Sequence, residues 1–260
     1  MHLTRLDVSN VRNLASVHLE PATGINYFYG ENGAGKTSLL EAISLLSVGR
    51  SFRSGKITTV IRGDDEELTV SGSVRNDLRE TSNQVGISRQ KDSMVARIDG
   101  QNISRLSALA MAVPIVVIST KNHELVEGGP GERRQFLDWI LFHVEPNYVK
   151  ISKRYKLTLS QRNAVLRSGG SAEMISAWNN ELAESGEVIA QQRQVVCQQV
   201  SECLQSFSEL LPMDSILPEL QYRRGWAEGQ ALLENLENAV DNCRRLGSTS
   251  TGPHLSLIHI

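Results

Sequence analysis

Gly30, Gly33 and Gly35, followed at once by Lys36 and Thr37, are spaced as G-x-x-x-x-G-K-T over residues 30–37. Each residue type in that pattern has a task in holding phosphate. Glycines take positive φ and put no Cβ in the way, so successive backbone N–H groups turn inward as an anion nest. Lys36 reaches the outer phosphates as a point charge, and the Thr37 hydroxyl is a hard oxygen ligand for Mg²⁺. Glu31 and Asn32 contribute backbone rather than side chain. The chemistry implied is the binding of a nucleoside phosphate through Gly30, Glu31, Asn32, Gly33, Ala34, Gly35, Lys36 and Thr37, with Thr37 on the metal.

Such a loop works only between a strand and a helix N-terminus, whose dipole and open N–H groups face the anion. The apolar run Ile25–Tyr29 enters it as the expected strand. Leu39, Leu40, Ile43 and Leu46 leave it at helical spacing. The chain has 260 residues, enough for one large domain or two smaller ones. Its net charge of −2 gives no global basic signal, so any nucleic-acid site must be a local patch. Cys197, Cys203 and Cys243 are odd in number and have no C-x-x-C spacing, which points to free thiols in a reducing cytoplasm. Residues 1–20 alternate polar and apolar and carry Arg5, Asp7 and Arg12, unlike a secretory leader, and no membrane span is expected.

In chain order, His2 to Ser9 and Ser16 to Glu20 alternate like half-buried strands around Val11-Arg12-Asn13-Leu14. With Ile25–Tyr29 they form a meander that feeds the loop. Arg50, Phe52 and Arg53 lie between Gly49 and Gly55, in a segment that contacts phosphates or is a solvated connection. Strands are expected at Leu68–Val74, Gln84–Arg89 and Met94–Ile98, with Asp99-Gly100 as a hairpin turn. A short helix is expected over Ser104–Met111, then a buried central strand at Pro114–Ile118. Thr120-Lys121-Asn122-His123 is not the guanine-reading N-K-x-D. Pro130 opens a helix, and a basic helix runs from Tyr148 to Arg167. After Gly169-Gly170, apolar residues from Ile175 to Leu211 mark a second long helix, which Pro212 stops. The basic face is a DNA-phosphate track or a solvated surface. A strand at Ile216–Tyr222 and a helix from Gln230 to Arg245 precede the Ser/Thr/Gly-rich end.

Val11-Arg12-Asn13, Gly30–Thr37 with Ser38, Leu40-Glu41-Ala42-Ile43, Gly49-Arg50-Ser51-Phe52-Arg53 and Ile98-Asp99-Gly100 occur together in this chain. So do Gly128-Gly129-Pro130 with Arg133-Arg134, Phe136-Leu137-Asp138-Trp139, Gln161-Arg162-Asn163, Arg224-Gly225-Trp226 and Thr251-Gly252-Pro253-His254. In this set the sequence resembles the RecF family, SMC-like ABC-type ATPases without a long coiled coil. The resemblance implies an α/β fold: a P-loop ABC-type ATPase head, with a mixed sheet and P-loop helix as lobe I and a helical hairpin as lobe II. It divides the chain into lobe I (1–145), lobe II (146–211), a return segment (212–254) and a tail (255–260) unlike the family. It implies ATP and Mg²⁺ as ligands, with Arg12, Asn13 and Ser38 added to the nucleotide-binding set. Arg50, Arg53, Arg133, Arg134, Lys153 and Arg154 become candidate DNA contacts.

The implied function is recombinational repair and replication at single-strand gaps, with a part in SOS induction. The implied partners are single-stranded and gapped double-stranded DNA, RecR and RecO, and a second copy of the chain in an ATP-dependent homodimer. Helping to load recombinase and a weak DNA-dependent ATPase belong to the same expectation. Family members continue past Gly-Pro-His with Arg and roughly a hundred further residues that carry the ABC signature and Walker B acids. Here Leu255 follows His254, so binding with little turnover by this chain alone is expected, with apolar faces exposed at Ile25–Tyr29 and Ile115–Ile118. Two other readings are a P-loop phosphotransferase with a helical lid and an ATP-independent DNA-binding fragment.

Overall fold

Alternating buried and exposed side chains at the start of the chain produce a pair of antiparallel strands, β1 (His2–Val11) and β2 (Leu14–Leu19). The computed structural model describes residues 1–119, 123–207 and 219–259. The chain forms two compact units, Met1–Ile118 and Ser119–Ile260.

In the first unit, helix α1 (Lys36–Val48) follows the glycine loop and ends at Gly49 in the left-handed conformation. Strands β3 (Glu67–Asn76), β4 (Thr81–Gln90), β5 (Met94–Ile98) and β6 (Gln101–Asn102) join β1 and β2 in one sheet, ordered β2-β1-β3-β4-β5-β6. Every pairing in it is antiparallel. Helix α2 (Ser107–Ala112) follows. Leu6, Val8 and Val11 of β1, Leu68 and Val70 of β3, and Leu45 and Leu46 of α1 share one core with Leu109 of α2. The sheet thus buries one face against the helix whose N-terminus carries Lys36 and Thr37.

Two expected strands do not form. Ile25–Tyr29 and Pro114–Ile118 belong to no sheet. Ile25, Tyr27 and Tyr29 are 96%, 83% and 84% exposed, and Val116 and Ile118 are 65% and 86% exposed. Only the inward neighbours, Phe28 and Ile115, pack against the core. An apolar run becomes a central strand when strands flank it and layers cover it. Among the described residues of this unit, no strand lies beside either run. A contiguous apolar surface of this kind drives association. Replacing Ile25 and Tyr27 with threonine and serine is expected to lower the concentration-dependent light scattering of the purified chain. Its thermal midpoint should stay unchanged, because neither side chain is buried.

In the second unit, α3 (Glu124–Glu127) and α4 (Pro130–Val144) precede α5 (Tyr148–Arg167), α6 (Ala172–Ser176) and α7 (Asn179–Ser206). The expected second helix is therefore two helices, broken at Ala177-Trp178, where the backbone N–H of Trp178 returns to the Ile175 carbonyl. Strand β7 (Gln221–Arg223), α8 (Leu232–Asn238), α9 (Val240–Leu246) and β8 (Leu257–His259) complete the unit. The helix expected over Gln230–Arg245 is divided at Ala239. Helices α5 and α7 run antiparallel, since Arg154 reaches Glu181 and Glu184 while Arg162 reaches Asn179. Their core includes Tyr155, Leu182, Ile189 and Leu232.

The expected lobe boundary lay at residue 145, whereas here α4 sits in the second unit and packs on α7 and β8. Residues 257–259 are integrated: β8 pairs antiparallel with β7, and Ile258 is buried in the α5–α7 core. Pro212, most of the Thr120–His123 tetrad and the start of the expected Ile216–Tyr222 strand lie outside the described residues. Among the described residues no helix is long and apolar enough to cross a membrane.

Candidate functional site

The glycine loop turns from Tyr29 into α1 on the surface of the first unit. Gly30, Gly33 and Gly35 all have positive φ, at 149°, 85° and 99°. Gly35 is doubly required. A Cβ there would lie 2.6 Å from a Leu14 methyl, in a backbone conformation that side chains avoid. Asn13, at the β1–β2 turn, holds the loop from beneath. Its Nδ2 donates to the Gly33 carbonyl at 2.7 Å, and its Oδ1 accepts from the Ser38 hydroxyl at 2.8 Å. With both ends committed, Asn13 fixes the loop to the sheet and to the first turn of α1.

The donors expected to meet phosphate are open. The first backbone bond of α1 runs from Leu39 N–H to the Gly35 carbonyl, and the N–H groups of Gly33, Gly35, Lys36 and Thr37 have no partner among the described residues. No side chain caps the helix and no acid stands in its first turn, so nothing competes with an anion there. The Lys36 ammonium donates to the carbonyls of Gly30 and Glu31, each at 2.8 Å, which places the cation on the loop itself. The Thr37 side chain is exposed and its hydroxyl has no partner among the described residues. Among the described residues no group of three His, Cys, Asp or Glu side chains could hold a metal ion. A Mg²⁺ ion here would therefore share Thr37 Oγ1 with phosphate oxygens and water, the usual habit of that ion.

Beside the loop, α1 carries one fully buried carboxylate, Glu41. Arg12, at positive φ in the β1–β2 turn, grips it through Nε at 3.0 Å and Nη2 at 2.7 Å. Arg12 also donates to the Thr59 carbonyl. The Ser51 hydroxyl donates to Glu41 as well, and accepts in turn from the N–H groups of Arg53 and Ser54. Arg53 Nη1 stands 3.7 Å from Glu41. Burial pushes the Glu41 carboxyl up, but the hydrogen bonds from Arg12 and Ser51 and the charges of Arg12 and Arg53 outweigh it and hold it below the ordinary glutamate value. Glu41 thus ties the β1–β2 turn and the 50–54 segment to the helix that presents Lys36. Nothing in the sequence pattern named that role. The available signal was a lone acid on an apolar helix, flanked in the chain by arginine-bearing turns.

The expected site residues are therefore brought together in part. Asn13, Ser38 and residues 30–37 form one assembly. Arg12 is committed to Glu41 rather than to the loop. Arg50 is exposed, and Arg53 is shared with Glu41. In the second unit, Arg133 Nη1 donates to the carbonyls of Val126 and Gly128 at 3.1 and 2.9 Å, closing the end of α3. Arg134 Nη1 donates to the Ser256 carbonyl at 2.8 Å. Arg154 is paired with Glu181 and Glu184, while Lys153 is exposed on the same helix.

A family model described as an AAA domain matches residues 5–245. The DNA replication and repair protein RecF of Thioalkalivibrio sulfidiphilus is 41% identical over 98% of this chain and 70% of its own length. RecF of Pseudomonas aeruginosa is 39% identical over 100% of this chain and 70% of its own length. Among solved structures, the recombination mediator protein RecF with ATP, of the RecFOR pathway, superposes with a TM-score of 0.84 at 26% identity, over 98% of this chain and 72% of that one.

Proposed function

Because the chain belongs to the RecF family of DNA replication and repair proteins, we propose that it binds ATP with Mg²⁺ on residues 30–38 and acts on DNA in recombinational repair. The observation that carries this reading is the open set of backbone donors at Gly33, Gly35, Lys36 and Thr37, beside the Lys36 ammonium. The triphosphate tail takes those N–H groups, Lys36 turns from the Gly30 and Glu31 carbonyls to the outer phosphates, and Thr37 Oγ1 ligates the metal. Asn13 keeps the loop in register while this happens. A relative of this chain has been solved with ATP, and its pathway name supports RecR and RecO as partners.

The finer expectations belong to the same proposal. The DNA is single-stranded or gapped duplex, ATP favours a homodimer, and the assembly helps load recombinase, contributes to SOS induction and works in the cytoplasm. Arg50 and Lys153, exposed and without a carboxylate partner among the described residues, are better placed than Arg133 or Arg154 to meet DNA phosphates. The test is fluorescence anisotropy of a labelled gapped duplex over a range of salt, with and without MgATP. Binding tightened by MgATP, with log affinity falling linearly in log salt, is the expected result. Equal affinity with and without nucleotide, unchanged by Lys36→Ala, would instead indicate an ATP-independent DNA-binding protein.

A further inference from the structure

Two of the most specific sequence stretches, Gly128–Trp139 and Thr251–His254, have no part in the glycine loop. They meet in the second unit. Arg134 and Asp138 of α4, Lys156 of α5, Arg193 of α7 and His254 line a cleft of about 260 Å³. Three cationic side chains thus face one carboxylate. That carboxylate is already committed: Asp138 Oδ1 accepts from Arg193 at 2.8 Å and from the Tyr148 hydroxyl at 2.5 Å. Arg193 spends its remaining donors on the Pro253 carbonyl and the Ser256 hydroxyl. Arg134 has only the Ser256 carbonyl, and Lys156 has no ion pair among the described residues. In the same unit Arg162, fully buried, bonds to Asn179 and Thr249, and among the described residues it has no carboxylate partner and its Nη2 no partner at all.

The positive charge gathered around the cleft acts on His254. Burial first, and then the charges of Arg134, Arg162 and Arg193, press its imidazole below the ordinary histidine value. The neutral ring donates from Nε2 to the Thr249 carbonyl at 3.1 Å and accepts the Tyr155 hydroxyl on Nδ1 at 2.6 Å. Gly252, at φ 131°, lies against that pair, where a Cβ would stand 2.7 Å from the Tyr155 oxygen. The cleft wall is therefore fixed, and its charge is unbalanced.

We propose that this cleft is a second anion site, separate from the glycine loop, which takes a phosphate group between Arg134 and Lys156. A guanidinium and an ammonium lining one cleft from two helices suit an oxyanion with several acceptor oxygens. Arg193 and Asp138 position Arg134 and the Pro253–Ser256 turn rather than touching the ligand. The phosphate can be a free one or a link in a nucleic-acid backbone.

The test uses the full chain carrying Lys36→Ala, so that the glycine loop contributes less, and reads the cleft itself through His254. Inorganic phosphate is titrated while the His254 ring proton is followed by NMR, assigned with His254→Gln. The expected result is a saturable upward shift of the His254 titration midpoint, because an anion relieves the three guanidinium charges. Arg134→Gln and Lys156→Gln should each weaken phosphate by roughly tenfold or more. Lys156 is exposed, so its variant decides the matter even where Arg134→Gln disturbs folding. Displacement of phosphate by a short oligothymidylate assigns the site to a nucleic-acid backbone, and failure to displace assigns it to free phosphate. No shift of His254, or a shift that neither substitution weakens, overturns the proposal.

Discussion

Replacing Glu41 with alanine is expected to destabilise the first unit by about 3–5 kcal/mol, the range for removing one partner of a buried ion pair. The carboxylate is fully buried and holds two segments to α1: the β1–β2 turn through Arg12, and residues 50–54 through the Ser51 hydroxyl and Arg53. Its loss leaves the Arg12 guanidinium and the Ser51 hydroxyl desolvated without their acceptor. Glu41→Gln keeps the volume but turns an amide N–H₂ or a neutral oxygen toward the guanidinium, and should also destabilise. The pH dependence has a definite sign. The folded carboxyl lies below its unfolded value of 4.5, so its contribution is complete above that pH and is lost as pH falls through the folded value. Urea unfolding at neutral pH and below pH 4.5 should show the wild type losing stability with acid, and Glu41→Gln losing less. Trp139, Trp178 and Trp226 all lie in the second unit. Far-UV circular dichroism should therefore report the early loss of the sheet, while tryptophan emission follows the other unit. Coincident transitions with no change in midpoint would show that Glu41 does not hold these elements together.

Replacing Lys36 with alanine is expected to weaken ATP roughly 10- to 100-fold, the scale of a hydrogen bond to a charged partner. Among the described residues the Lys36 ammonium bonds only the Gly30 and Glu31 carbonyls, both within its own loop, and Lys36 is not part of the core. The variant should therefore unfold at the wild-type midpoint while losing affinity. Loss of affinity together with a lowered midpoint would point to a collapsed loop rather than a missing phosphate contact. Undiminished affinity would remove Lys36 from the phosphate site.

Much of the first unit was legible because its strands alternate and its turns are explicit. β3, β4 and β5 lie within a few residues of their expected bounds, and Asp99-Gly100 closes the last hairpin at positive φ. α5 also matches, bounded by Asn147 and Ser168. The failures have one cause in common. Ile25–Tyr29 and Pro114–Ile118 have the composition of central strands, but strand formation needs partners, and local composition does not report whether they are present. The break at Ala177-Trp178 is likewise invisible to periodicity, because the apolar spacing continues across it. At the site, the loop spacing anticipated the positive-φ glycine turn ahead of α1, since backbone conformation there follows from glycine. Arg12 was assigned to nucleotide through the family resemblance carried by Val11-Arg12-Asn13. Its actual partner, Glu41, is distant in sequence, and only the register of β1 against α1 reveals it.

The central claim is that main-chain amides of residues 33–37, with Lys36, hold the triphosphate of ATP. Isothermal titration of the folded wild-type chain with MgATP tests it most directly, with folding verified by circular dichroism on the same sample. The account predicts a saturable heat at one site per chain that Lys36→Ala reduces. A folded sample that gives no heat beyond dilution would contradict it.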